Sequence, residues 1–187
     1  MALLIVRGLA PGRPVPSPVY LDANVLVSYF VRRTNTPAAV QAIAELLAQG
    51  VQTILSPLTI SEFWWAIFDA LYNHDRQSRG ESPQRLTPGE YRRHRAELHG
   101  RYRDQIALIR QQLQSWPGLR GVAFRPSGFR DWLATMDDCV DRSDLLPSDA
   151  AHLVLAARYA RAFVTNDGGF ARAAVSIAGR TLTVFIV

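Results

Sequence analysis

The sequence contains no lysine, a single cysteine and no long apolar run. With Cys139 alone, the chain can form neither a disulfide framework nor a zinc site built from cysteines. The absence of a run of about 18 apolar residues predicts that no transmembrane helix is present. The apolar start, residues 1–6, has no charged segment before it and no cleavage-like end, so we expect no signal peptide. We therefore expect a cytoplasmic protein.

The motifs of several hydrolase classes are also missing. The sequence has neither GxSxG nor GxxxxGK[ST], which excludes the usual serine-hydrolase and P-loop arrangements. The segment Asp22-Ala-Asn24 invites comparison with phosphatases that use an aspartyl nucleophile. Those enzymes usually need a lysine late in the chain, and this chain has none.

All 21 basic residues are arginine, and they are unevenly distributed. The chain has 187 residues, 48% of them apolar, which suits one ordinary domain with a core. Residues 74–130 hold 12 arginines and 5 acidic residues, whereas the remainder holds 9 arginines and 11 acidic residues. This segment predicts a polyanionic partner such as nucleic acid. A GC-rich coding sequence is the alternative explanation for the preference for arginine.

Strands alternate with helices along most of the chain. The Pro- and Gly-rich residues 8–18 predict an extended arm. Apolar, β-branched runs predict five strands, at residues 18–21, 51–55, 121–124, 162–165 and 181–187. Periodic segments predict helices at residues 25–31, 38–49, 59–72, 87–116, 128–139 and 149–161, with a loop at 73–86 and an acidic turn at 137–144. The alternation predicts an α/β fold whose parallel sheet is covered on both faces.

Four acidic residues stand at strand ends or helix starts. Asp22 and Asp167 follow the first and fourth strands, while Glu62 and Asp149 lie near the starts of apolar helices. Ligands of open α/β sheets bind at the carboxyl ends of strands. Clustered carboxylates without cysteine suit Mg²⁺ or Mn²⁺.

Each acid taken alone has a structural alternative. Asp22 could be a helix N-cap, Asp149 could favour a helix N-terminus after the capping Ser148, and Asp167-Gly168 could be turn chemistry. Glu62 is the hardest to explain in this way, because its helix offers few polar neighbours.

Four segments in order resemble the motifs of PIN domains, and most closely those of the VapC toxins of type II toxin–antitoxin pairs. They are VYLDANVL (19–26), LTISEF (58–63), PSDAAHL (147–153) and FVTNDGGF (163–170). The resemblance covers residues 19–72 and 121–187. It implies a three-layer α/β/α fold with sheet order 3-2-1-4-5 and metal-dependent cleavage of RNA.

The resemblance also implies roles for individual residues. Asp22, Glu62, Asp149 and Asp167 match the acidic, catalytic metal ligands, and Asn24 and Thr165 match polar helpers around the first and last acids. His152, three residues after Asp149, either orients that acid or is a packed histidine. The chain departs from the pattern in the N-terminal arm, residues 8–18, and in a basic, largely helical insert at about 73–120. We expect residues 1–187 to form a single domain that contains both.

The insert carries arginines interleaved with tyrosines and histidines. This composition fits a single-stranded RNA surface built from Arg92, Arg93, Arg95, Arg101 and Arg103. A solvated helix held by pairs such as Glu97 with Arg101 is the alternative.

The expected partners are RNA, an antitoxin that masks the acidic site, and a second copy of the chain. A PIN-like RNA- or protein-binding module without catalysis is the alternative function.

Overall fold

The computed structural model describes residues 2–31, 36–122, 129–142, 145–172 and 181–187. The chain divides into two compact units. We call residues 1–60 with 117–187 the α/β unit, and Ser61–Trp116 the helical unit. The predicted helix cap at Ser127, the end of the strand predicted at 121–124 and Asp144 lie outside the described residues.

The α/β unit is built on a six-stranded sheet in which every strand pairing is parallel. Its order is β1-β6-β5-β2-β3-β4. The strands are β1 (Ala2–Arg7), β2 (Val19–Leu21), β3 (Thr53–Leu55), β4 (Leu119–Gly121), β5 (Ala162–Thr165) and β6 (Thr181–Ile186). This architecture confirms the predicted α/β class with a parallel sheet.

The sheet has one strand more than the sequence predicted. The five predicted strands keep their predicted relative order, and β1 is added beside β6, in register from Ala2 with Thr181 to Arg7 with Ile186. The sequence prediction does not include this strand, and it treats the apolar residues 1–6 only as a rejected signal peptide. Five apolar residues followed by Arg7 are enough for one edge strand once β6 supplies backbone partners.

Seven α-helices occur in the described residues. They are α1 (Ala23–Phe30), α2 (Thr36–Ala48), α3 (Pro57–Ser78), α4 (Pro88–Arg101), α5 (Arg103–Gln114), α6 (Phe129–Arg142) and α7 (Pro147–Tyr159). A short 3-10 helix, Gly168–Arg172, follows β5.

Two helix boundaries in the α/β unit correct the sequence prediction. Helix α6 continues to Arg142, so most of the predicted acidic turn is helical. Helix α7 is capped at Leu146, without a side-chain hydrogen bond, rather than at Ser148. Pro147 then occupies the first turn, where its missing N–H costs nothing.

One hydrophobic cluster of the α/β unit lies between the sheet and α7. Every residue of β2 and β5 is buried, and α7 is buried from Ala150 to Ala157. Phe163 packs edge-to-face against both Tyr20 and Phe170, with ring centroids 5.8 and 4.9 Å apart. Short strands buried on both sides are typical of parallel sheets, and they hold the strand ends in fixed positions.

The N-terminal arm, residues 8–18, is irregular, and it is bound to Glu45 of α2 and to Gln49, the residue that follows α2. The backbone N–H groups of Gly12 and Val15 each donate a 3.0 Å hydrogen bond, to Glu45 Oε2 and Gln49 Oε1 respectively. Gln49 Nε2 donates in return to the carbonyl of Arg13 at 2.8 Å. These bonds satisfy backbone groups that have no strand partner.

The helical unit contains most of α3 together with α4 and α5. Its buried core comprises Phe68, Tyr72, Leu86, Leu98, Tyr102 and Ile106. Helix α3 extends to Ser78 into the predicted loop, and the single helix predicted for 87–116 is divided at Tyr102. The predicted capping box is confirmed, since Thr87 and Glu90 exchange both hydrogen bonds.

In the described parts of the chain, no helix is both long and apolar enough to span a bilayer.

Candidate metal centre

Asp22 lies at the carboxyl end of β2 and is 3% exposed. Its backbone N–H donates to the carbonyl of Val164 in the neighbouring β5, at 3.0 Å. It is the N-cap of α1, because Oδ1 accepts a hydrogen bond from the N–H of Asn24 at 3.5 Å. The N-cap alternative considered for Asp22 is therefore present in the structure. Oδ1 therefore caps α1, and Oδ2 lies towards Thr165 at the end of β5.

Thr165, the last residue of β5, connects Asp22 to Asp167. Its hydroxyl donates to Oδ2 of Asp22 at 2.6 Å, and its oxygen accepts from the N–H of Asp167 at 3.0 Å. Asp167 Oδ1 accepts from the N–H of Gly169 at 2.7 Å, which is the turn chemistry considered from the sequence. The polar helper role suggested for Thr165 thus has a physical basis, because Thr165 orients the first acid.

Asn24 contributes through its backbone. Its side chain is exposed, while its N–H reaches Asp22 and its carbonyl accepts from Asn166 Nδ2 at 3.3 Å. Asn166 Nδ2 also lies 3.0 Å from the hydroxyl of Ser28. These bonds tie the start of α1 to the turn that follows β5.

Ligand atoms of Asp22, Glu62 and His152 all lie within 4.8 Å of one another. Glu62 is half-buried in the second turn of α3, a helix that begins within the α/β unit directly after β3. His152 is buried in the second turn of α7. Two carboxylates and an imidazole at this spacing form a donor set that suits a divalent cation.

The ring of His152 is fixed by Tyr20. Nδ1 lies 2.9 Å from the Tyr20 hydroxyl, and the two ring centroids are 5.8 Å apart. The same hydroxyl lies 2.7 Å from Ser56 Oγ and 2.9 Å from Thr59 Oγ1. Of the two roles considered from the sequence, a packed histidine describes His152 better than a residue that orients Asp149. Its ring also lies close to the carboxylates of Asp22 and Glu62.

The other two acids occupy their predicted elements. Asp149 lies in the first turn of α7 and is half-buried, and Asp167 directly follows β5. Within the described residues, neither belongs to the three-residue group of Asp22, Glu62 and His152. A site shared by all four acids therefore stays a prediction.

The arginines proposed for RNA differ in their surroundings. Arg92, Arg93 and Arg95 are exposed on α4. Arg101 instead forms ion pairs with the buried Asp75 and with Glu97, so its guanidinium is already used to join α4 to α3.

Arg103 lines a groove of about 390 Å³ between α4 and α5 that contains no acidic residue. His99 and Arg110 line it as well. Burial, with added repulsion from Arg95 and Arg110, lowers the pKa of His99 below its ordinary value. The positive charge of this groove therefore comes from arginine.

Sequence reasoning missed the hydroxyl cluster of Tyr20, Ser56 and Thr59. The spacing of Ser56 and Thr59 was a usable signal, because Ser-x-x-Thr before an apolar run resembles a reciprocal helix cap. The approach of His152 to Asp22 had no local signal, since the two residues are 130 positions apart.

The geometry agrees with the comparison to known protein families. The family model of the PIN domain matches residues 19–176. No curated protein matches the chain at a significant level. The matched span contains β2 to β5 and all the site residues described above. The chain belongs to the PIN domain family.

Proposed function

We propose that this protein is a divalent-metal-dependent endoribonuclease and the toxin of a type II toxin–antitoxin pair. The supporting observation is the group formed by Asp22, Glu62 and His152 in a chain that belongs to the PIN domain family. PIN domains are generally metal-dependent nucleases that act on nucleic acids. The choice of RNA, and the toxin role, rest on the four sequence motifs.

In this proposal Mg²⁺ or Mn²⁺ is held by Asp22 and Glu62, with Asp149 and Asp167 completing the acidic set. When bound, such an ion lowers the pKa of a coordinated water and stabilises charge on the phosphodiester. The chain itself prepares the ligands. Thr165 and the N–H of Asn24 orient the two oxygens of Asp22, so little reorganisation is needed when the ion enters.

The exposed arginines of α4 provide the attraction for RNA. Arg92, Arg93 and Arg95 are exposed to solvent, and Tyr91 lies beside them on the same helix. Without a bound cation the carboxylates of Asp22 and Glu62 would repel an RNA phosphate, so RNA binding near them would require the metal. The arginines would then bring RNA towards the charged centre over a distance set by ionic strength.

A toxin needs an inhibitor, and a carboxylate pocket suggests its chemistry. An arginine or lysine of a partner protein would form charge-assisted hydrogen bonds with Asp22 and Glu62. That cation would occupy the place of the metal.

We further propose that the active form is a homodimer.

A cleavage assay tests the enzymatic part of the proposal. Purified protein is incubated with single-stranded RNA while Mg²⁺ or Mn²⁺ is titrated, with excess EDTA in a parallel sample. We expect cleavage that depends on metal and is abolished by Asp22→Asn, which removes the charge but keeps the N-cap. Full activity in EDTA or in Asp22→Asn would contradict the proposal. RNA binding without cleavage would favour the non-catalytic binding module.

Induced expression in a bacterial host tests the toxin role. The wild-type protein is expected to arrest growth, and Asp22→Asn at equal abundance is expected to allow it. Normal growth with abundant, catalytically active protein would exclude the toxin role but leave the nuclease activity standing.

A further inference from the structure

Four polar side chains form one buried cluster in the α/β unit. Tyr20, Ser56, Thr59 and His152 are each at most 2% exposed. The Tyr20 hydroxyl is at the centre, within 2.9 Å of a polar atom of each of the other three. Buried polar groups are costly unless hydrogen-bonded, and complete clusters of this kind hold side chains in one orientation.

The cluster also caps α3, the helix that carries Glu62. The N–H of Thr59 donates to Ser56 Oγ at 3.1 Å, and the N–H of Ser56 donates to Thr59 Oγ1 at 3.4 Å. Ser56 is thus the N-cap of α3, and the two hydroxyls are fixed by backbone groups. Tyr20 transmits this fixed geometry to the imidazole of His152.

The hydrogen bond between Tyr20 and His152 uses Nδ1 of the ring, and its direction depends on the tautomer of the imidazole. When Nδ1 donates to the Tyr20 oxygen, Nε2 is the nitrogen with the lone pair. A ring nitrogen of His152 lies within 4.8 Å of a carboxylate oxygen of Asp22. Histidines that bind metals almost always donate the other ring N–H to a neighbouring acceptor, and Tyr20 is placed as that acceptor.

We propose that His152 supplies a nitrogen ligand, through Nε2, to the metal ion held by Asp22, and that Tyr20 is the positioning residue that orients the ring. This inference rests on the metal binding of the proposed function and requires neither RNA nor cleavage. Its consequence is selectivity. Imidazole suits transition metals such as Mn²⁺, whereas Mg²⁺ prefers oxygen ligands, so the centre should favour Mn²⁺ over Mg²⁺ more strongly than an all-carboxylate site would.

Pulsed EPR of the Mn²⁺-loaded full-length protein provides the direct test. We expect a nitrogen hyperfine coupling of a histidine ligand in the wild-type spectrum and its loss in His152→Gln. A wild-type spectrum without nitrogen coupling, or a protein that binds no Mn²⁺, would overturn the inference. If the protein cleaves RNA but shows no nitrogen coupling, the inference about His152 is wrong and the ribonuclease proposal stands. Coupling without cleavage would support it and contradict the ribonuclease proposal.

Calorimetric titration with Mn²⁺ and Mg²⁺ tests the selectivity and the role of Tyr20. We expect His152→Gln to weaken Mn²⁺ binding by about 10–100-fold while changing Mg²⁺ binding much less, and Tyr20→Phe to weaken Mn²⁺ binding by about tenfold. Equal losses for both ions in both variants would overturn the selectivity.

The helical unit offers matched controls that separate ligand loss from damage to the core. His99 Nε2 lies 3.1 Å from the Tyr91 hydroxyl, a second histidine–tyrosine pair remote in sequence from Asp22. His99→Gln and Tyr91→Phe should leave both metal affinities unchanged. If His152→Gln does not fold, as judged by circular dichroism, Tyr20→Phe and the wild-type EPR spectrum still decide the question.

Discussion

Thr165 donates a 2.6 Å hydrogen bond to Oδ2 of Asp22, although 143 positions separate the two residues. The bond joins the ends of β5 and β2, which pair in parallel with Leu21 opposite Val164. Parallel pairing brings the carboxyl ends of neighbouring strands to one edge of the sheet. The first and last motifs of the chain meet through this bond.

Replacing Thr165 with valine tests the importance of the bond. Thr165→Val keeps the shape but removes the hydroxyl, so Asp22 loses a charge-assisted hydrogen bond and Asp167 loses the acceptor of its N–H. We expect the free energy of unfolding to fall by about 1–3 kcal/mol, as measured by urea denaturation. Metal affinity should fall as well. Thr165→Ser retains the hydroxyl and should behave much more like the wild type; equal losses in both variants would contradict the assignment.

Metal binding should stabilise the folded protein. Added Mn²⁺ at about 100 times its dissociation constant is expected to raise the free energy of unfolding by about 2.7 kcal/mol, since the ion binds only the folded site. Thermal unfolding with and without Mn²⁺ measures this effect. Asp22→Asn should fold but show much less stabilisation by the ion, and an undiminished effect would place the metal elsewhere.

The arginines of α4 should control the salt dependence of RNA binding. Neutralising Arg92, Arg93 and Arg95 together with glutamine is expected to weaken binding and to flatten the log–log salt slope by up to roughly 0.7 per lost phosphate contact. Fluorescence anisotropy at several salt concentrations measures both. Arg7, Arg120 and Arg161, all exposed and outside α4, provide a control triple with the same change of net charge. An equal effect of both triples would indicate general electrostatics rather than a surface on α4.

The capping box of α4 should make part of the stability pH-dependent. Hydrogen bonds from the Thr87 side chain and backbone lower the pKa of Glu90 below its ordinary value of about 4.5. A lowered pKa in the folded state means that the stabilisation is complete above the unfolded pKa and is lost as the pH falls below it.

Thr87→Ala should therefore lower the melting temperature by about 2–4 °C at neutral pH, and by less in acid, where the wild type has already lost the interaction. Thermal melts between pH 3 and pH 7 measure the difference. Ser115→Ala, which also removes a hydroxyl from the helical unit, should shift the melting temperature equally at every pH. A pH-independent shift in Thr87→Ala would show that Glu90 takes no part.

Some elements were predictable because their signals are local. The strand at Val19–Leu21, the cap at Thr87 and the N-cap role of Asp22 each depend on residues a few positions apart. Boundaries that depend on packing were predicted less well. Helix α3 continues through Asp75, a carboxylate that pairs with Arg101 on α4, and no pattern within residues 73–86 records that partner.

By itself, the sequence determined the α/β class and the placement of Asp22 and Asp167 at strand ends, because the alternation of strands and helices is a property of the chain. The order of the five predicted strands followed only from the resemblance to PIN domains. Only the tertiary structure decided that residues 2–7 become an edge strand and that His152 faces Tyr20 and Asp22. Both depend on contacts between distant segments: β6 supplies the hydrogen bonds for β1, and β2 lies where α7 packs. Such contacts exist only after the sheet has formed. They produce no local hydrophobic periodicity, so they could not be predicted from the sequence.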